Sequence, residues 1–299
     1  MVSPTLLLEL TLVGIAAGAL YSLAAIGIVL IYKTTGVLNF AHGAIGMFSA
    51  FLAYQFGNEM HFPAPIAIIL ALAFAAGFGW FMERFTLRPL RERPVLTRVI
   101  VTLGWLLVLQ SVAGLIWKDT SYHIPLQIFP QTGIRIAQLT LGYNQMANIT
   151  VAALLAIGLG FFLRKSPLGI AMRATSDNPP AARLLGIEVN RVAVIAWILG
   201  SVLAAIAGLL LAPLTTLNTT SITILVIEAF GAALIGGLSS LGWTFAGGIL
   251  LGVAQSVLSL YMPSGAKDVL TFAVILAVLL LRREVRPLAI SVSGEEGLG

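Results

Sequence analysis

The residues here that could do chemistry are few, and their spacing suits recognition or helix pairing better than bond-making. The three histidines, His42, His61 and His123, are scattered over different segments, and no His-Glu-x-x-His places two metal ligands on one helix face. Cysteine is absent, which removes disulfides, thiolate metal sites and thiol nucleophiles. No Gly-x-x-x-x-Gly-Lys-Ser/Thr occurs, so any ATP hydrolysis is expected on other polypeptides. What remains is a set of polar side chains inside oily stretches: Asn39 and His42 beside Gly36, Gly43 and Gly46, then Gln110, Ser111, Glu228 and Gln255. Each costs free energy to bury in lipid and so faces a bundle interior. Asn39 and His42 either satisfy backbone groups freed by an irregular helix start at the glycines, or touch a transported solute; the first is favoured. Glu228 pairs with a cation, meets a solute ammonium group or reaches the outer interface, and the interface is favoured. For Gln110, Ser111 and Gln255, pairing between helices leads over lining a path. An enzyme, a metal site and a bound cofactor are therefore not expected.

The elements that must position these residues are membrane spans. Only 10% of residues are charged and 59% are hydrophobic, against about 25% charged in soluble domains. A crossing helix takes about 20 residues, so the chain has room for a single all-α bundle of about eight transmembrane helices, one domain over residues 1–299. Apolar segments lie at 6–31, 37–57, 64–83, 99–117, 147–163, 192–212, 225–240, 243–262 and 266–281. The seventh is short and holds Gly231, Gly236 and Gly237, which suits a re-entrant or broken element or a thin crossing. Met1–Leu8 carries no basic residue, so the first span is expected to be retained rather than cleaved as a signal.

Charge orients the bundle, because Lys and Arg accumulate in cytoplasmic loops. Loop 84–98, loop 164–191, Lys33 and the tail with Arg282, Arg283 and Arg286 hold 14 basic residues; the other loops hold Lys118, Arg135 and Lys267. Placing the first group inside gives an outside N-terminus, a cytoplasmic C-terminus and an odd number of crossings, nine or seven. The net charge of +5 sits in loops, not in a nucleic-acid footprint. Small residues four apart (Gly14/Gly18, Gly200/Ala204/Gly208, Gly248/Gly252) read as close helix packing. Phe40–Gly46 and Phe245–Gly252 echo each other weakly, as duplicated transporter halves can.

Loop 164–191 is the longest polar interruption with helix-forming character. Within it, Asn178 suits an N-cap, Pro179 a first helical position and Gly186 a left-handed stop. A two-turn helix outside the bilayer results, carrying Ala181, Ala182, Leu184 and Leu185. It fits the groove of a second protein or lies on lipid headgroups, and the residues alone leave both open.

Several blocks together resemble one family, the permease subunits of branched-chain amino-acid ABC importers. They are Gly36-Val-Leu-Asn-Phe-Ala-His-Gly43, Arg88-Pro-Leu-Arg91 with Leu96-Thr-Arg-Val-Ile-Val-Thr-Leu-Gly104, Gly169-Ile-Ala-Met-Arg-Ala174, Ala181-Ala-Arg-Leu-Leu-Gly-Ile187 and Ala232-Ala-Leu-Ile-Gly-Gly237. The resemblance covers about 14–285. It implies a bacterial inner-membrane subunit pairing with a second, similar permease, two cytoplasmic ATPases and an extracytoplasmic solute-binding protein. It also implies that Asn178–Gly186 is the helix that couples to the ATPase, with Arg173, Asn178, Ala181, Ala182, Arg183 and Gly186 as its residues. Pro180 stands where the family usually has Glu, and Glu228 where relatives often carry Lys. Asn39, His42, Gly43, Glu228, Gly236 and Gly237 are the candidates for a translocation path or helix break. The rival readings are a self-sufficient secondary carrier and an ABC permease for urea, short amides or sugars.

Overall fold

In a lipid interior peptide groups find no water, so long apolar runs hydrogen-bond to themselves as helix. The structure, a computed structural model, describes residues 4–118, 133–136, 139–261 and 266–281. In chain order the helices are α1 (Pro4–Thr35), α2 (His42–Tyr54), α3 (Ala64–Phe81), α4 (Val95–Trp117), α5 (Tyr143–Lys165), α6 (Pro167–Asp177), α7 (Pro179–Leu184), α8 (Val189–Leu211), α9 (Ser221–Ile235), α10 (Leu241–Leu258) and α11 (Ala266–Leu281). Among the described residues six helices, α1, α3, α4, α5, α8 and α10, are long and apolar enough to cross a membrane, and α9 and α11 carry shorter apolar runs. The chain is a multi-pass membrane protein of helical architecture. Arg282, Arg283, Arg286 and His123 lie outside the described residues.

Two findings depart from the expected segments. The loop expected over 118–146 contains an antiparallel hairpin, β1 (Gly133–Ile136) and β2 (Leu139–Gly142), with Gly133 opposite Gly142. Its signal was the alternation Ile134-Arg135-Ile136 and Leu139-Thr140-Leu141. The span expected over 37–57 begins as helix only at His42, after an irregular stretch, and passes into a π-helical segment over Gln55–Glu59. Its start lies inside the bundle: the Phe40 amide donates to Thr102 Oγ1 (3.2 Å), and Thr102 is two turns, ~10 Å, into α4.

α1 and α8 form the axis. In their most apolar windows 83% and 67% of residues are buried, against 17% in α4 and α5, which present broad apolar faces outward. All three small-residue patterns turn out to be seams. Gly14 and Gly18 of α1 meet Gly252 and Gly248 of α10, Gly200 meets Gly27 and Ile31, and Gly208 meets Gly46 of α2. One end of the bundle collects the basic loops. Lys33 Nζ donates to Ser239 O (3.0 Å) and Arg98 Nη1 to Thr35 O (3.3 Å), so the ends of α1 and α9 and the starts of α4 and α10 share a face.

Candidate functional site

On that basic face the chain between α5 and α8 folds into two helices. Ser166 caps the first, its Oγ accepting from the Gly169 amide (2.9 Å), with Pro167 at the first helical position. This helix, α6, is an addition to the single short helix expected in the loop, and Ser166-Pro167 was the readable signal for it. Its buried Met172 packs with Leu30, Val192 and Ala196, fastening it to α1 and α8.

α7 is the two-turn helix anticipated, and its backbone groups can be accounted for one by one. Pro179 and Pro180 bring no N–H. The Ala181 amide donates to Asn178 Oδ1 (3.0 Å) and the Ala182 amide to Asn178 O (2.9 Å). At the other end Gly186 has φ +80°, a conformation that suits glycine, and the Ile187 amide returns to Ala182 O (3.0 Å). Ala182 is buried against the bundle while Leu184 and Leu185 are 90% and 79% exposed. A tip so apolar on the basic face is the outstanding surface feature of this segment. Asn178→Ala is expected to cost about 1 kcal/mol locally. Hydrogen exchange at the Ala181 and Ala182 amides would accelerate about fivefold, with the membrane helices unchanged.

The chain leaving α7 is held by an ion cluster that sequence reasoning missed. Glu83 is buried in the π-helical segment Met82–Leu87 that extends α3. Its carboxylate accepts from Arg88 Nη2 (2.8 Å) and Arg91 Nη2 (3.1 Å). Both arginines also reach Asn190 at the start of α8: Arg91 Nη1 donates to Asn190 Oδ1, and Arg88 Nη2 lies 3.5 Å from Asn190 O. Burial lowers the Arg91 pKa from its ordinary value; Glu83 opposes that, and Arg88 and Arg183 add to it. The readable signal was a carboxylate at the end of an apolar run, five and eight residues before two arginines of one short loop. Arg183 itself lines a recess of about 640 Å³ with Arg91, Asp177 and Gly237. Arg173 lines a different groove, between α5 and α10, so the coupling candidates do not form one cluster.

The path candidates also separate. Asn39, His42 and Gly43 are together at the start of α2. Asn39 Oδ1 accepts from the Ala41 amide (3.1 Å) and Thr102 Oγ1 donates to Leu38 O (3.2 Å), so side chains do supply the backbone of the break. The His42 ring packs on Gly27, and Gly43 packs on Thr223 O of α9. The same device precedes α9, where Asn218 Oδ1 accepts from the Thr220 (3.0 Å) and Ser221 (2.6 Å) amides. Asn218 was overlooked; an Asn two residues before Thr220-Ser221, where the apolar run of α9 begins, is its signal. Glu228 stands mid-way along α9 and is buried, not at an outer interface. It lies one turn before Gly231, on the face toward Leu251, Thr271 and Ile275, away from Gly43. Gly236 and Gly237 form the turn from α9 to α10, where Gly236 packs against Thr244 and Gly237 has φ +69°. Gln110 donates to Thr219 O (3.3 Å) in the turn before α9 and Gln255 to Thr271 Oγ1 (2.7 Å) between α10 and α11, whereas Ser111 is exposed.

The site is thus a set of supports, not a reacting centre. A broken helix opens inside the bundle, and a rigid apolar knob projects from a braced basic face. Sequence comparison agrees in kind. The family described as branched-chain amino acid transport system / permease component matches residues 10–279. The chain is 33% identical over 284 residues to the high-affinity branched-chain amino acid transport system permease protein BraD of Pseudomonas aeruginosa, covering 90% of this chain and 92% of that one. It is 30% identical over 285 residues to LivH of Salmonella typhimurium, with 90% and 91% covered. To a probable LivH of Methanocaldococcus jannaschii it is 28% identical, with 81% and 78% covered. With its family match running through nearly every helix described above, the chain belongs to the branched-chain amino acid transport system permease component family.

Proposed function

We propose that this chain is the single-domain permease subunit of an ATP-driven importer in a bacterial plasma membrane, and that its solute is a branched-chain or similarly small apolar amino acid. In this reading the basic face is cytoplasmic and the C-terminus is inside, as the bias of Lys and Arg among the loops suggests. The partners are a second, similar permease, two cytoplasmic ATPases and an extracytoplasmic solute-binding protein. The observation that carries the reading is α7: closed by caps at both ends, seated through Ala182, and exposing Leu184 and Leu185. Such a knob transmits force without fraying. Load on it passes to α8 directly and, through Asn190, to the Arg88–Glu83–Arg91 cluster and α3. Movement there biases the break before α2, which opens between the ends of the bundle. Nucleotide shifts this equilibrium only by its differential affinity for the two states.

The experiment is reconstitution of the full transporter with and without Gly186→Val. A β-branched residue in the left-handed region costs about 1–2 kcal/mol and misdirects the knob. Solute-stimulated ATPase activity should fall severalfold while the complex still assembles. Undiminished stimulation, or full solute accumulation by this chain alone in liposomes, would overturn the reading.

A further inference from the structure

α5 and α10 both pack on α1 but touch each other only slightly. The cleft between them is about 790 Å³, with Leu30 and Lys33 of α1 in its lining. Its walls change character with depth. Away from the face they are apolar, with Ala153, Ile157 and Phe161 on α5 and Phe245 on α10. At the face they carry Lys33, Arg164, Lys165 and Arg173, and among the described residues no acidic one lines the cleft. The ion pairs formed among the described residues use Arg88, Arg91 and Arg191, so these four cations have no carboxylate partner among the described residues. Lys33 spends one of its three donors on Ser239 O. Ser240 also lines the cleft and caps α10, whose N-terminal dipole adds to the positive field.

We propose that this cleft holds an anionic phospholipid, its phosphate among Lys33, Arg164, Lys165 and Arg173 and an acyl chain along Ile157, Phe161 and Phe245. Charge and apolarity are segregated along one groove in the order a lipid presents them, and four cations without a carboxylate among the described residues, beside a bilayer, attract the anionic class. A free phosphate would leave the apolar walls bare. The lipid bridges α5 to α10 and meets α6 through Arg173, so it braces the root of the segment that carries α7. This goes beyond the transport reading and does not depend on which solute is carried.

The test is native mass spectrometry of the purified transporter in mixed phosphatidylglycerol and phosphatidylcholine micelles. Wild type should retain phosphatidylglycerol in preference. Arg164→Gln/Lys165→Gln should weaken that retention about 30-fold, at roughly one surface-cation contribution per residue. Ile157→Trp, which fills the groove without changing charge, should also lose it. Arg84→Gln/Arg93→Gln removes two exposed cations elsewhere on the same face and should leave retention unchanged. Equal retention of both lipids, an equal loss in the Arg84/Arg93 control, displacement by inorganic phosphate, or cross-linking of Ile157→Cys to another subunit or to this chain's own tail would each overturn the proposal.

Discussion

Glu83→Ala is expected to destabilise the protein by about 3–5 kcal/mol, the range for removing one partner of a buried ion cluster. The Glu83 side chain is 2% exposed, and the arginines it holds are 23% and 28% exposed at theirs. Losing the carboxylate leaves two guanidiniums crowded at the end of α3 with only a side-chain amide and a carbonyl between them. Their mutual repulsion then opens the junction between the α3–α4 loop and α8. Glu83→Gln keeps the shape and two acceptor lone pairs, so it should fall between wild type and alanine. Arg91→Ala should cost less than Glu83→Ala, because Arg88 still neutralises the acid. Thermal unfolding in detergent, monitored by gel filtration, ranks the three. The ATPase assay should show Glu83→Ala also uncoupled, since Asn190 loses its anchor beside the α7 segment. A ranking in which Arg91→Ala is the worst, or a Glu83→Ala protein as stable as wild type, contradicts the assigned role.

Why this cluster escaped the sequence while α7 did not is a matter of range. α7 is written locally: cap, prolines and stop glycine lie within nine residues, and each acts on its own neighbours. The spans were legible for the same reason, since hydropathy is a property of the run. Glu83, by contrast, becomes meaningful only when Asn190, more than a hundred positions on, is brought against Arg88 and Arg91. The break before α2 was half legible. Gly36 and Asn39 announced an irregular start, but its depth is set by Thr102 on another helix. Glu228 was misjudged because a position near the edge of an apolar segment suggests an interface, whereas α9 begins at Ser221, earlier than the hydropathy implied. Gly236 and Gly237 were read as a possible break within a span because composition cannot tell a glycine that interrupts a helix from one that ends it.

Replacing Gly18 by leucine should abolish the folded bundle, and the reason lies in what holds helices together in lipid. No hydrophobic force drives α1 onto α10, because lipid tails are as apolar as leucine, so close van der Waals contact must supply the attraction. A Cβ at Gly18 would stand 2.5 Å from Gly248 O and 2.7 Å from the Ile249 Cα, and one at Gly252 would stand 2.4 Å from Gly14 O. These neighbours are backbone, not rotatable side-chain ends. Even alanine therefore forces the axes apart, and because dispersion falls steeply with distance the whole seam weakens together. For Gly18→Ala about 1–3 kcal/mol of overpacking is expected; leucine exceeds what the seam can absorb, and no monodisperse protein should be recovered. The seam also carries Ser22 Oγ to Phe245 O (2.7 Å) and Ser256 Oγ to Leu10 O (2.7 Å), which separation would break. Gly77 and Gly104 supply the contrast, since nothing lies within 4 Å of a Cβ at either. Alanine there should be neutral or stabilising by up to about 1 kcal/mol through helix propensity. If Gly18→Ala and Gly104→Ala unfold at the same temperature, close backbone approach is not what binds α1 to α10.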